Sequence, residues 1–216
     1  MIILDVSEYW KKRGPDYYNE LRNQPSYAQS RLRNQEKYVI NLIKNCKFNK
    51  ILEIGCGTGR YTKILSSFFN PEKYVALDIS KEQIDKAKKY VSDKRIEFYC
   101  IRIQEFNYRE KFDLVFASEV LMHVDFGDIN KVISNMISHS ANKIISIDWF
   151  DKKEIGKEFG GYCFMHDYKI IFKNNGAKNV QIHSLPLSLT LKLISTYAKL
   201  RGRHGIDRQA VIEVDV

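Results

Sequence analysis

The sequence predicts an α/β fold, because short apolar runs alternate along it with segments of helical periodicity. The clearest unit spans residues 50–69, where an apolar run ends at Gly55 and apolar residues then recur at helical spacing. A chain of 216 residues, 44% of them hydrophobic, can form one such domain with a full core and modest additions. We therefore expect an N-terminal helical extension at residues 1–47 and one α/β domain at residues 48–216.

Three glycines at alternate positions, Gly55, Gly57 and Gly59, lie at the turn between this strand and its helix. Glycine adopts backbone conformations barred to other residues and has no Cβ to keep a ligand from the main chain, so we expect a nucleotide cofactor here. The spacing is not that of the dinucleotide fingerprint, because Arg60 stands where the third glycine belongs. Glu53 disfavours a pyrophosphate and favours a ligand with positive charge. A glycine turn without a ligand is the alternative.

A second apolar run, at residues 73–77, ends in Asp78, at the distance from the glycines expected for a carboxylate that binds ribose hydroxyls. Asp78 can accept two hydrogen bonds from a vicinal diol. The alternative is that it caps the next helix. Ser80, which has Gln83 at capping-box spacing, is the better cap and leaves Asp78 for the ligand.

With the E-x-G-x-G-x-G pattern and this acid, residues 48–184 resemble the class I S-adenosylmethionine-dependent methyltransferases. The resemblance implies a Rossmann-like, doubly wound, mostly parallel seven-stranded sheet with helices on both faces and an antiparallel last strand. It also implies S-adenosylmethionine as cofactor. The cofactor-binding residues implied by the match are Glu53, Gly55, Gly57, Gly59, Asp78, Ile79, Ile103, Gln104 and Ser118.

The chain departs from the family after the third strand, where an acid usually receives the amine of adenine. Arg102 stands at that place. We therefore expect main-chain groups around Ile103, together with Gln104 or Glu105, to hold the adenine, and Ile79 to lie against its face.

The remaining elements follow from the same patterns. Helical periodicity predicts helices at 30–46, 81–91 and 129–140, and Gly176 indicates the end of a further helix. Strands are predicted at 95–101, 112–117, 143–150, 177–183 and 209–214. Between the last two lies a helical, basic insertion at about 185–208, which should begin at the carboxyl end of the sheet.

The segment after the fourth strand should lie at the sheet edge where open parallel sheets bind ligands. Relatives that methylate adenine or a glutamine amide carry an Asn/Asp-Pro-Pro-aromatic tetrad there, whereas this chain has Ser118 to Leu121. Residues 121–124 are similar instead to relatives that methylate small molecules, sugars or lipids. His123 is a candidate general base, because an unperturbed histidine suits proton removal near neutrality. The alternative is a histidine that packs the helix under the site.

Two further candidate catalytic residues follow later in the chain. Asp148 ends the fifth strand and is expected at the rim of the ligand crevice. His166 lies in a connection that should cross the active-site face, as does Tyr162, a candidate substrate contact.

Both additions to the domain are candidates to shape the substrate pocket. Family members often carry N-terminal helices over the cofactor, so Tyr9, Trp10, Tyr17 and Tyr18 are candidate pocket residues, or else pin the extension to the core. In the insertion, Arg201 and Arg203 would favour an anionic acceptor, because arginine pairs bidentately with phosphate or carboxylate. A solvated loop is the alternative.

We therefore expect a methyltransferase for a small-molecule or glycan-type acceptor, including an anionic one, at oxygen rather than nitrogen. The net charge of +9 and the basic N-terminal arm suggest an RNA methyltransferase as the alternative, but no RNA-binding module is recognisable. A non-catalytic cofactor-binding subunit is the third hypothesis. The four cysteines lack metal-ligand spacing, so no metal is expected. With no signal peptide or long apolar stretch, we expect a cytoplasmic protein.

Overall fold

The computed structural model describes residues 8–13, 26–186, 192–193, 195–196 and 208–216, and residues 8–13 are helical. The longer helices are α1 (Ser26–Ile43), α2 (Arg60–Phe69), α3 (Lys81–Val91), α4 (Ile129–His139) and α5 (Tyr168–Asn174). The strands are β1 (Lys50–Ile54), β2 (Lys73–Asp78), β3 (Ile96–Cys100), β4 (Phe112–Ser118), β5 (Ser140–Trp149), β6 (Glu158–Phe159), β7 (Cys163–Phe164), β8 (Asn179–Ser184) and β9 (Gln209–Asp215). A short 3-10 helix, Leu121–His123, follows β4.

Seven of these strands form one sheet in the order β3-β2-β1-β4-β5-β9-β8. β1 pairs in parallel with β2 and β4, β2 with β3, and β4 with β5. β9 runs antiparallel to both β5 and β8. The mostly parallel sheet with an antiparallel last strand, expected from the sequence, is confirmed.

Some element bounds differ from the sequence expectation. Helix α1 begins and ends earlier than predicted, and β5 begins at Ser140 because a register shift in β4 lets Ser140 pair with Phe112. The hairpin of β6 and β7 was not expected, since two-residue strands show no readable alternation. Most of the expected insertion at 185–208 lies outside the described residues.

Helices cover both faces of the sheet, as buried parallel strands require. Along β4, Leu114 and Phe116 point into a core with α1, α2 and α3, whereas Val115 and Ala117 point into a core with α4 and α5. This alternation follows from the two-residue period of a strand. In the described residues, no helix combines the length and apolar character that a membrane crossing needs.

The order of the strands places the ligand crevice. The chain winds outward from β1 through β2 to β3 and then returns to the other side of β1 with β4. Ile54 at the end of β1 is paired with Ala117 near the end of β4, so the loops that follow these two strands leave the same edge of the sheet. Open α/β sheets bind ligands at such a switch in strand order.

Candidate active site

A cavity of about 540 Å³ opens at this edge of the sheet, within the size range of small-molecule sites. Its wall is formed by the loops after β1, β2, β3 and β4, with contributions from α1 and from the N-terminal helical residues. The residues expected to bind the cofactor that line this wall are Glu53, Gly55, Gly57, Asp78, Ile79, Ile103, Gln104 and Ser118. His123 lines it too.

The three glycines have positive φ angles, 67° at Gly55, 55° at Gly57 and 88° at Gly59, but they serve different contacts. A Cβ on Gly55 would lie 2.4 Å from Val120, and one on Gly59 would lie 2.9 Å from Val91. A Cβ on Gly57 would meet no atom of the described residues within 4 Å. Gly55 and Gly59 thus allow close packing, whereas Gly57 leaves the main chain open to the cavity. Gly59 is not part of the described wall, which departs from the sequence expectation.

Glu53 is a buried carboxyl group in the cavity wall, 3% exposed. Its Oε2 accepts hydrogen bonds from the Thr62 hydroxyl at 2.6 Å and the Tyr74 hydroxyl at 2.8 Å. Burial raises the pKa of Glu53 to about 7, although these two bonds act in the opposite direction. A cationic ligand beside this group would favour its charged form.

Asp78 is held by main-chain donors at the end of β2. Its Oδ2 accepts from the Gly57 N–H at 2.8 Å and its Oδ1 from the Ser80 N–H at 2.9 Å. Burial raises the pKa of Asp78, and the hydrogen bonds from Ser80 and Gly57 oppose that shift. Each carboxylate oxygen keeps a further lone pair for a ligand hydroxyl. Ser80, not Asp78, caps α3 by accepting from the Gln83 N–H, as the sequence predicted.

The imidazole of His123 is fixed by the hairpin of β6 and β7. Its Nδ1 lies 2.7 Å from the Tyr162 carbonyl oxygen. A carbonyl oxygen only accepts, so Nδ1 carries the hydrogen and Nε2 of the neutral ring keeps its lone pair. Burial lowers the pKa of His123, despite the opposing effect of this hydrogen bond. The ring is therefore a neutral acceptor near neutrality.

Aromatic residues of the N-terminal segment cover this histidine. The rings of Trp10 and His123 have centroids 4.5 Å apart, and Trp10 lines the cavity. Tyr9 stacks on Tyr162, with centroids 5.0 Å apart. Both alternatives raised by the sequence occur, since Trp10 lines the pocket while Tyr9 packs the segment onto the hairpin.

Glu119 is a cavity residue that the sequence analysis missed. Its φ of 56° is unusual for a residue with a side chain, and such strain often occurs at functional sites. Its Oε1 accepts from Arg31 at 3.4 Å, from Gln35 at 3.3 Å and from Gln209 at 2.6 Å. The neighbouring Ser118 Oγ is buried and lacks a hydrogen-bond partner among the described residues.

Two candidate catalytic residues are not at the cavity. Asp148 is fully buried rather than at the rim, because its carboxylate accepts from the Met122 N–H at 3.0 Å and from the Ser146 hydroxyl. His166 is 1% exposed, and its Nε2 donates to the Val124 carbonyl at 2.8 Å. Neither belongs to the described cavity wall, so their expected positions were wrong.

The expected substrate contacts have different outcomes. The side chain of Tyr162 is not in the described wall, although its carbonyl orients His123. Tyr17, Tyr18, Arg201 and Arg203 lie outside the described residues.

Known proteins resemble both the sequence and the fold. Residues 51–142 match the family model described as "Methyltransferase domain". The malonyl-acyl-carrier-protein O-methyltransferase of Bacillus anthracis is 32% identical over 132 residues, which cover 61% of this chain and 45% of that relative. The ubiquinone biosynthesis O-methyltransferase of Bradyrhizobium diazoefficiens is 32% identical over 100 residues, covering 45% of this chain and 39% of that relative. The chain thus spans less than half the length of these curated relatives.

Solved structures agree with the fold. Magnesium protoporphyrin IX methyltransferase from Synechocystis PCC 6803, with bound S-adenosylmethionine, aligns with a TM-score of 0.70 at 15% identity, over 100% of this chain and 99% of that one. The N-methyltransferase NodS from Bradyrhizobium japonicum WM9, in complex with S-adenosyl-L-homocysteine, aligns with a TM-score of 0.71 at 16% identity, over 98% of both chains. At these identities the likeness shows the fold alone.

The fold and the glycine loop define a Rossmann-like domain that binds a nucleoside cofactor. Residues 51–142 match a methyltransferase domain, and the O-methyltransferase relatives support the class I S-adenosylmethionine-dependent methyltransferase family. Neighbouring structures with bound S-adenosylmethionine or S-adenosylhomocysteine support S-adenosylmethionine as the cofactor. These comparisons agree with the family, the enzyme class and the cofactor expected from the sequence.

Proposed function

We propose that the chain transfers the methyl group of S-adenosylmethionine to an oxygen atom of a small-molecule or glycan-type acceptor. The observation that carries this proposal is the placement of His123, a neutral imidazole with an unprotonated Nε2, in the cavity that also holds the cofactor residues. The O-methyltransferases among the relatives support oxygen as the accepting atom.

The residues of the cavity fit the cofactor. Gly57 leaves the space that a nucleoside needs beside the main chain, and Asp78 offers lone pairs for the ribose diol. Glu53 gives a carboxylate to the cationic end, and the buried Ser118 hydroxyl needs a polar partner. S-adenosylmethionine supplies an activated methyl group when bound, so the protein contributes mainly position and proton transfer.

His123 is suited to take the proton of an acceptor hydroxyl. The Tyr162 carbonyl fixes the tautomer and stabilises the imidazolium that forms when Nε2 takes a proton. The lowered pKa of His123 keeps the ring in its neutral form before the reaction. Trp10 packs against the ring and restricts its movement.

The charged residues of the described cavity wall indicate whether the methyl acceptor is charged or uncharged. Carboxylates at Glu53, Asp78, Glu119, Asp125 and Asp128 outnumber the guanidinium groups of Arg60 and Arg102. This balance suits a cationic cofactor and an uncharged hydroxyl acceptor. Support for an anionic acceptor rests on Arg201 and Arg203, which lie outside the described residues.

The test is to incubate the purified protein with methyl-labelled cofactor and fractionated cell extract, with and without nuclease. We expect label in a small-molecule or glycan fraction, unaffected by nuclease, in a methyl ether or ester. Loss of the labelled product on nuclease treatment would support the RNA alternative. Cofactor binding without turnover on any fraction would support the non-catalytic alternative.

A variant separates the role of His123 from the rest of the proposal. His123→Gln keeps a donor for the Tyr162 carbonyl but removes the base, and should lower the turnover rate by roughly 10²- to 10⁴-fold at unchanged cofactor affinity. His183→Gln, the same exchange at a residue on β8 paired with Glu213, is the matched control. An unchanged rate in the His123 variant would refute the base.

A further inference from the structure

The adenine end of the cavity lacks the acid that family members usually carry after the third strand. Arg102 occupies that place, and a guanidinium group only donates hydrogen bonds, so it cannot receive an amine. The carbonyl of Ile103 already accepts from the Asn135 side-chain amide. An unused carboxylate elsewhere in this wall would be a stronger acceptor for the exocyclic amine of adenine than this partly used carbonyl.

Asp128, at the start of α4, lines the cavity beside Gln104. It occupies the N-cap position of α4, yet in the described structure its side chain makes no capping hydrogen bond. Its Oδ2 instead lies 3.5 Å from Nε2 of Gln104. An aspartate at an N-cap ordinarily caps the helix, so a cavity-lining carboxylate that does not cap is available to another partner.

The neighbouring acid has a different environment. Oδ1 of Asp125 accepts from the Gly127 N–H at 2.8 Å and from the Asp128 N–H at 2.9 Å. Asp125 thus holds the turn that leads into α4, and its side chain is committed to main-chain donors. Of these two acids, Asp128 is the one whose carboxylate remains available to a ligand.

We propose that Asp128 receives the exocyclic amine of adenine, so that α4 rather than the loop after β3 supplies the base-specific acid of this chain. Gln104 positions the carboxylate by donating to Oδ2. The contact is a charge-assisted hydrogen bond, and it selects adenine over a purine that lacks the amine. The inference rests on the cofactor site and is independent of the methyl acceptor.

Calorimetric binding of two ligands tests the assignment without any turnover. One ligand is S-adenosylhomocysteine, and the other is its analogue with unsubstituted purine, which lacks only the amine. Wild-type protein should bind the first about 10-fold or more tightly than the second, as expected for a hydrogen bond to a charged group. Asp128→Ala should bind both ligands alike, within about twofold, because only the contact with the amine is lost. Asp125→Ala, the matched loss of a neighbouring acid, should keep the preference.

The outcomes separate this inference from the proposed function. A preference retained in Asp128→Ala, or lost in Asp125→Ala alone, would overturn the assignment while leaving the cofactor site intact. Should Asp128→Ala fail to fold, Asp128→Asn gives the second measurement. A weakened preference for the ligand with the amine is expected in this variant, and an unchanged preference would contradict the assignment. Folded wild-type protein that binds neither ligand would contradict the cofactor site itself.

Discussion

The carboxyl group of Glu53 should make the stability of the protein depend on pH in a defined direction. The group is buried, and its pKa is raised from 4.5 to about 7 mainly by that burial. A carboxyl whose pKa is higher in the folded state binds its proton more tightly there than in the unfolded chain. Its contribution to stability is therefore complete below pH 4.5 and is lost as the pH rises through about 7.

The size of the effect follows from the shift. Each unit of pKa corresponds to about 1.4 kcal/mol, so raising the pH across this window should remove about 3 kcal/mol from the free energy of unfolding. Glu53→Gln removes the titration but keeps an oxygen that can accept from Thr62 and Tyr74. The free-energy cost of burying the NH2 group of the glutamine side chain is the same at every pH.

The assay is denaturant unfolding of the cofactor-free wild type and variant at a series of pH values. Asp148, whose burial also raises its pKa to about 7, contributes to both proteins and cancels in their difference. We expect the stability of the wild type relative to the variant to fall by about 3 kcal/mol between pH 4.5 and 8. Glu72→Gln, at an exposed position, controls for the exchange itself. A difference that does not vary with pH would refute the argument.

Three further predictions concern ligand binding and rate. Gly57→Val should abolish cofactor binding in a folded protein, because its side chain projects into the cavity, whereas Gly55→Ala should mainly lower thermal stability through its clash with Val120. Tight calorimetric binding by folded Gly57→Val would contradict the loop assignment. Asp78→Ala should weaken cofactor binding by roughly 1 to 3 kcal/mol, since the ribose diol loses its acceptor, and unchanged affinity would reject that role. Turnover should decline only below the ordinary histidine pKa, because burial lowers the pKa of His123; a decline that begins above that value in a pH–rate profile would contradict this.

The loops of the candidate cofactor site were predictable because their sequence signals are local. The loop after β1 lies within one strand–turn–helix unit, and the role of Ser80 as cap could be read from adjacent residues. Asp148 was misplaced because the end of an apolar run does not tell whether its last side chain faces the crevice. In the structure it faces the main chain at Met122 instead.

Glu119 was missed because it depends on partners that are distant in sequence. Glu119 is held by Gln35 and Gln209, which meet only because α1 and the start of β9 pack near the end of β4. Asp128, the acid proposed to receive the adenine amine, is a different case, because an acid before a helix is ordinarily explained as a cap. Only the side-chain geometry shows that this one does not cap.

Glu53 and Glu119 are glutamates of the same cavity whose carboxyl groups have different charge states. Burial raises the pKa of Glu53, and hydroxyl donors alone do not offset it. Burial opposes the charge of Glu119 too. The positive charges of Arg31 and Arg60 and the hydrogen bonds from Gln35 and Gln209 together outweigh it and lower the pKa. Glu53 therefore becomes fully charged near neutrality only when a cation approaches, whereas Glu119 is charged beforehand.

Helix α1, in the N-terminal extension, contributes to the charge of the site. Arg31 and Gln35 belong to α1, and without them Glu119 would be a buried carboxylate with fewer partners, a costly arrangement. Its positive φ adds strain that these contacts must offset. The charge beside His123 thus depends on α1 as well as on the sheet, so the extension contributes to the electrostatics of the cavity in addition to covering it with Trp10.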